Sequence, residues 1–304
     1  MVTGDAALRG LMMKDGFTVG LVQMSIPDSP DMALDKAIAG IKDAAKGGSS
    51  IIVLPELFRT HYFCQKQHAD LFDLAEPIPG PTSEAVARVA KSCKVTVVAS
   101  LFEKRAPGLY HNTAAVIGPD GEIIGLYRKN HIPDDPLFFE KYYFTPGDLG
   151  FKAFQTPEAK LGVLVCWDQW YPEAARLTAL EGAEIIVYPT AIGWHPAEKP
   201  EHGVAQVQAW QLAQRAHGLA SGVYIAAVNR HGHEGSRPGG IEFWGHSFVS
   251  DPYGLILAEA GDSEDRIIIQ ECSRGRIEDI RRNWPFLRDR RTDIFGGITR
   301  RFGH

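Results

Sequence analysis

Short β-branched apolar runs recur along this 304-residue chain, separated by segments with helical spacing. Residues 17–24, 51–54, 95–101, 160–165, 184–188, 223–228 and 267–271 read as strands. Residues 31–46, 83–94, 172–181 and 204–220 read as helices. In the first helix Leu34, Ala37, Ile38, Ile41 and Ala45 share a face, and Gly47-Gly48 stops it. Two further strand pairs flank turn residues, 113–118 with 123–127 around Pro119-Asp-Gly121, and 243–250 with 255–259 around Asp251-Pro-Tyr-Gly254. Hairpins mixed with helices do not fit eight regular βα units, so a layered α/β sandwich is expected rather than a barrel. No repeat or linker divides the chain, which reads as one domain over 1–304. Residues 1–16 are expected to be flexible. Residues 273–304 are rich in arginine, lack a strand pattern and read as a surface tail laid on a partner subunit.

Composition removes several classes of function. The net charge of −5, with no basic stripe before the tail, excludes nucleic acid as the main partner. No apolar run approaches the ~20 residues a membrane span needs. Residues 1–20 carry Asp5, Arg9, Lys14 and Asp15 and do not read as a signal peptide. Four irregularly spaced cysteines form neither a disulfide framework nor a CxxC metal pattern. The expected setting is the reducing cytoplasm.

Three reactive side chains each follow a strand-like run. Glu56 follows Ile51-Ile-Val-Leu-Pro55, Lys129 follows Ile123-Ile-Gly-Leu-Tyr-Arg128, and Cys166 follows Leu161-Gly-Val-Leu-Val165. A thiol between a strand and a helix start stands where open α/β sheets keep their chemistry, and N–H groups there lower a thiol pKa. Brought to one sheet edge, the three would serve acyl transfer. The thiol attacks a carbonyl, the glutamate moves protons, and the lysine with the Trp167 N–H holds the oxyanion. Burial would raise the glutamate toward neutrality. Spacing alone does not bring them together. Singly, Glu56 reads as a helix-start carboxylate and Lys129 as part of a basic loop.

Leu54-Pro-Glu-Leu-Phe58, Tyr127-Arg-Lys-Asn-His-Ile-Pro133 and Val165-Cys-Trp-Asp-Gln-Trp-Tyr-Pro-Glu173 together resemble the nitrilase, or carbon–nitrogen hydrolase, superfamily, in the family's order. The resemblance runs from about Phe17 to the end. It implies an αββα sandwich with Glu56 as base, Lys129 as oxyanion lysine and Cys166 as nucleophile. It also implies Glu140 as a second glutamate of the site, a homo-oligomer, and no metal or organic cofactor. Within the superfamily the chain is similar to N-carbamoylputrescine amidases, in His131-Ile-Pro-Asp-Asp-Pro136 and Tyr188-Pro-Thr-Ala-Ile-Gly193 among others. That likeness implies a small carbamoyl or amide substrate, a terminal urea cleaved to amine, ammonia and carbon dioxide, and a place in polyamine biosynthesis. A carbamoyl amino acid or aliphatic amide is the alternative.

The substrate-side candidates are Trp167, Gln169, Trp170, His131 and Tyr62. N-carbamoyl-D-amino-acid amidases carry arginines where Gln169 and Trp170 stand, and an arginine fork suits a carboxylate. Gln169 and Trp170 therefore lean toward an amine, unless Arg59 or Arg237 supplies the charge. His131 either lines the pocket or bonds the backbone. One departure concerns the substrate's far end. Gln208-Ala209-Trp210 stands where many carbamoylputrescine amidases carry an acidic residue, and Glu198 or Glu201 is left to replace it. His231-Gly-His233 reads as a solvent loop rather than a zinc pair.

Overall fold

The computed structural model describes residues 15–303. A first six-stranded sheet takes β1 (Gly16–Gln23), β2 (Ile51–Val53), β3 (Thr96–Ala106), β4 (Leu109–Ile117) and β5 (Ile123–Arg128), in that spatial order. A second takes β6 (Ala153–Gln155), β7 (Lys160–Val163), β8 (Ile185–Thr190) and, beyond β8, β10 (Tyr224–Asn229). β13 (Phe248–Ser250) and β14 (Ile256–Glu259) complete it, and β15 (Arg266–Ser273) returns to the edge of β1 in the first sheet. A small third sheet joins β9 (Gly193–Trp194), β11 (His231–Glu234) and β12 (Ile241–Trp244). The inner strands β1–β2–β3 and β7–β8–β10 pair in parallel.

Period-two alternation sorts the first sheet's side chains between two cores. Val19, Leu21, Ile51, Val53, Val98 and Val116 face the second sheet and join Leu161, Val163, Ile185 and Val187. Their neighbours Val22, Ile52, Val97 and Ile117 pack beneath α1 (Pro30–Lys46) and α2 (Pro81–Cys93), through Ala33, Ala37, Ile41, Val86 and Ala90. α3 (Pro172–Leu180) and α4 (Lys199–Ser221) cover the second sheet; a Cβ on Gly162 would lie 2.5 Å from Thr178 of α3. The layers run helix, sheet, sheet, helix, the αββα sandwich expected of this sequence. Among the described residues no helix is long and apolar enough to cross a membrane.

Three expectations change. The expected strand 243–250 is broken into β12 and β13, because Gly245 and His246 take left-handed φ values of 60° and 53°. His231-Gly-His233 is a strand rather than a solvent loop, with Gly232 paired opposite Phe243. The tail beyond residue 273 begins as helix α5 (Arg274–Asn283), capped by Ser273 and docked through Ile277 and Ile280. Two apolar residues in ten are too few to announce a helix. Of the residues expected to be flexible, 1–14 lie outside the described residues, and Gly16 opens β1.

Candidate active site

The three reactive residues meet where strands end. β2 gives way to Pro55-Glu56, β5 ends at Arg128 just before Lys129, and β7 leads through Leu164-Val165 to a five-residue 3-10 turn beginning at Cys166. Two of the turns are strained. Cys166 has φ +44° and Leu57, beside Glu56, has φ +48°. Each such residue costs roughly 1–3 kcal/mol and persists only where its surroundings hold it.

The surroundings are dense hydrogen-bond networks. Lys129 Nζ donates to Glu56 Oε1 at 2.8 Å and to Glu140 Oε2 at 2.7 Å, with all three side chains fully buried. Asn112 Nδ2 donates to the same Glu56 oxygen at 2.7 Å, and Tyr62 OH donates to Glu140 Oε1 at 2.6 Å. Glu56 Oε2 is buried and takes no hydrogen bond from the described residues. Arg230, also fully buried, donates to the carbonyls of Glu56 (2.6 Å), Leu57 (2.9 Å) and Thr60 (3.2 Å), and pairs with Glu234 at 2.9 Å. The strained turn after Glu56 is thereby satisfied from outside.

Charge follows from this packing. Burial pulls the Lys129 ammonium down, but Glu140 and Glu56 outweigh it and hold its pKa well above the ordinary lysine value. Burial pushes the Glu140 carboxyl up to about 7, with Lys129 opposing and Glu56 adding to the rise. Burial and the nearby Glu56 push the Cys166 thiol well above its ordinary value, against the pull of Lys129. The thiol is thus raised where a lowering was expected, because burial and the two carboxylates outweigh Lys129 and the Ala191 carbonyl contact. The resting sulfur is a thiol, and it donates weakly to the Ala191 carbonyl at 3.9 Å.

A cavity of about 390 Å³ opens over the sulfur. Glu140 and Cys166 line it, with aromatic walls from Phe138, Trp167, Trp170 and Trp244. Asp135, His195 and Glu198 line it as well, and Asp135 and Glu198 are exposed. No Lys or Arg stands among its lining residues.

Of the substrate-side candidates Trp167 and Trp170 line the cavity, and the other three do not. Gln169 is fully buried outside the cavity, accepting from Thr190 Oγ1 at 3.3 Å, because the tight turn rotates it inward. His131 stacks on Tyr171, ring centroids 3.7 Å apart, and its Nδ1 lies 2.7 Å from Asp168 Oδ1. Tyr62 supports Glu140 from behind rather than lining the cavity. At the far end Ala209 and Glu198 line the cavity; Gln208 does not, and Glu201 sits beside His202. Arg59 is engaged with Asp31. Asn112, Arg230, Tyr127 and Asp168 were not singled out as site residues from the sequence. Asn112 leaves a trace there, as an amide in the buried run His111-Asn-Thr-Ala-Ala-Val116.

Residues 18–282 match the carbon-nitrogen hydrolase family, and the chain belongs to it. It is an enzyme of the amidase type. The chain is 41% identical to the N-carbamoylputrescine amidase of Solanum lycopersicum, across 91% of this chain and 93% of that protein. It is 40% identical to a citrullinase of Francisella tularensis, across 93% and 98%. A crystal structure of a carbon-nitrogen hydrolase from Helicobacter pylori G27 superposes with a TM-score of 0.91 at 44% identity, across 94% of this chain and 99% of that one.

Proposed function

We propose that the protein hydrolyses the terminal carbamoyl group of a linear N-carbamoyl amine through a thioester on Cys166. One observation carries the reading: a buried thiol on a strained turn faces a cavity whose lining includes Glu140, one of the two glutamates bridged by Lys129, and bears carboxylates but no Lys or Arg. Its relatives named N-carbamoylputrescine amidase support the same substrate class.

The thiol is protonated at rest, so attack needs a base. Glu56 Oε2, the oxygen left unbonded, takes the Sγ proton as sulfur bonds to the urea carbon. The carbonyl electron pair moves onto oxygen, where the Lys129 ammonium and the Trp167 N–H stabilise it. The C–N bond breaks, ammonia leaves with the proton from Glu56, and a thioester remains. Glu56 then takes a proton from water, hydroxide adds to the thioester, and the thiol departs reprotonated. The carbamic acid formed splits into amine and carbon dioxide. Glu140 accepts from Lys129 Nζ and holds the ammonium in place.

The aromatic walls suit an alkyl chain, and the exposed Asp135 and Glu198 suit a distal ammonium. The preference for an amine thus rests on these groups rather than on Gln169. The second reading is a ureido amino acid, favoured by the citrullinase relative. Steady-state kinetics on N-carbamoylputrescine, citrulline and N-carbamoyl-β-alanine separates the two. The diamine derivative is expected to have the highest kcat/KM; faster turnover of either acid overturns the amine reading. The four free cysteines support a reducing, cytoplasmic setting. The exposed Trp284, Phe286, Ile294 and Ile298 beyond α5 support a contact with a second copy.

A further inference from the structure

Asp168 stands two residues after the sulfur and faces away from the cavity. It is fully buried, and its two oxygens accept four hydrogen bonds. Oδ1 takes the His131 N–H at 3.0 Å, and His131 Nδ1 lies 2.7 Å from the same oxygen. Oδ2 takes Tyr127 OH at 2.7 Å and the Val165 N–H at 3.0 Å. A carboxylate has about four acceptor sites, so none remains for substrate or solvent.

The origin of the donors is informative. Tyr127 lies two residues before Lys129 and His131 two residues after it. Val165 immediately precedes Cys166. One carboxylate therefore grips the lysine segment on both sides of Lys129 and closes the turn that carries the sulfur. Asn130 Nδ2 tightens the grip by donating to Tyr127 OH at 2.9 Å. The Asp168 N–H returns to the Val165 carbonyl at 3.1 Å, so the turn is fastened through both backbone and side chain. Among the hydrogen bonds described, Asp168 is the side chain that joins the Lys129 and Cys166 segments directly.

We propose that Asp168 is a positioning residue that sets the placement of Lys129 relative to Cys166, and so aligns the oxyanion donor with the nucleophile. It touches no reacting atom. Its effect falls on the step in which sulfur bonds to carbon while oxygen gains charge, and not on substrate binding. The burial of both oxygens gives it no other visible task in the cavity. Geometry at this level is worth a great deal, since a displacement near 1 Å of a reacting group costs about 100-fold in rate.

The inference rests on Cys166 being the nucleophile, which Cys166→Ala on the same substrate tests separately: turnover surviving in that variant removes the reading itself. Asp168→Asn keeps the shape but turns an amide N–H₂ toward one pair of donors. With N-carbamoylputrescine its kcat is expected to fall about 100-fold while KM stays within about threefold. Tyr127→Phe deletes one hydroxyl on the lysine side and is expected to lower kcat about tenfold, again at constant KM. The double variant is expected to be no slower than Asp168→Asn, because both changes release the same clasp. Should Asp168→Asn fail to fold, the kcat-against-KM split of Tyr127→Phe decides alone. A folded Asp168→Asn with wild-type kcat, a Tyr127→Phe that raises KM at constant kcat, or independent losses that multiply would each overturn the proposal.

Discussion

The two ends of the cavity are built on opposite principles. At the sulfur end Glu56, Lys129 and Glu140 are fully buried, and each has two or more partners at the shortest ordinary distances. At the far end Asp135 and Glu198 are exposed, and Glu198 Oε2 is held by a single hydrogen bond from Gln206 at 3.1 Å. A buried ion cluster cannot lose a partner without leaving an uncompensated charge, whereas an exposed carboxylate is screened by water. On the proposed mechanism the chemistry is therefore fixed by the fold, and the choice of substrate is left to groups that can change at little cost in stability.

Substitutions at the sulfur end should be costly and those at the far end mild. Cys166→Ala removes the proposed nucleophile, and turnover is expected to fall by at least about 10⁴-fold; a residual rate above that in steady-state assays would break the contrast. Glu56→Gln keeps the contacts but cannot take the thiol proton, and kcat should drop about 10³-fold. Near wild-type kcat would remove Glu56 as the base.

A third test uses pH. Folding raises the Glu140 carboxyl from its ordinary 4.5 to about 7, so the folded chain keeps a proton that the unfolded chain releases. That linkage contributes stability below about pH 4.5 and loses it as pH rises through about 7. In urea unfolding across that window, wild type should lose more stability with rising pH than Glu140→Gln. Equal slopes would mean that burial does not hold the Glu140 proton. The smallest effect is expected at the far end. Glu198→Gln should raise KM for N-carbamoylputrescine about threefold with kcat unchanged, as suits an exposed charge. A large fall in kcat there would erase the distinction between the two ends.

The same contrast explains what the sequence disclosed. Glu56, Lys129 and Cys166 were legible because each follows a strand-like run and sits in a segment resembling a known family. A layered α/β sandwich was legible because β-branched runs and helical spacing carry different periods; the αββα order came from the family resemblance. The inward turn of Gln169 was hidden because the 3-10 geometry of residues 166–170 left no pattern in the sequence. Arg230 and Asp168 were not legible as site residues, since their work depends on partners 174 and 37 residues away. The split between β12 and β13 rests on Gly245, whose left-handed freedom was passed over because a lone glycine inside an apolar run does not by itself end a strand.

The central claim is that one thiol, held on a strained turn and served by Glu56 and Lys129, performs the reaction. Iodoacetamide titration followed by intact-mass and peptide mass spectrometry tests it directly, with activity assayed at each stage and in the presence of N-carbamoylputrescine. The account predicts that activity disappears in step with a single adduct on Cys166, and that substrate slows both. Full activity with Cys166 alkylated, or complete inactivation with Cys166 untouched, would contradict it.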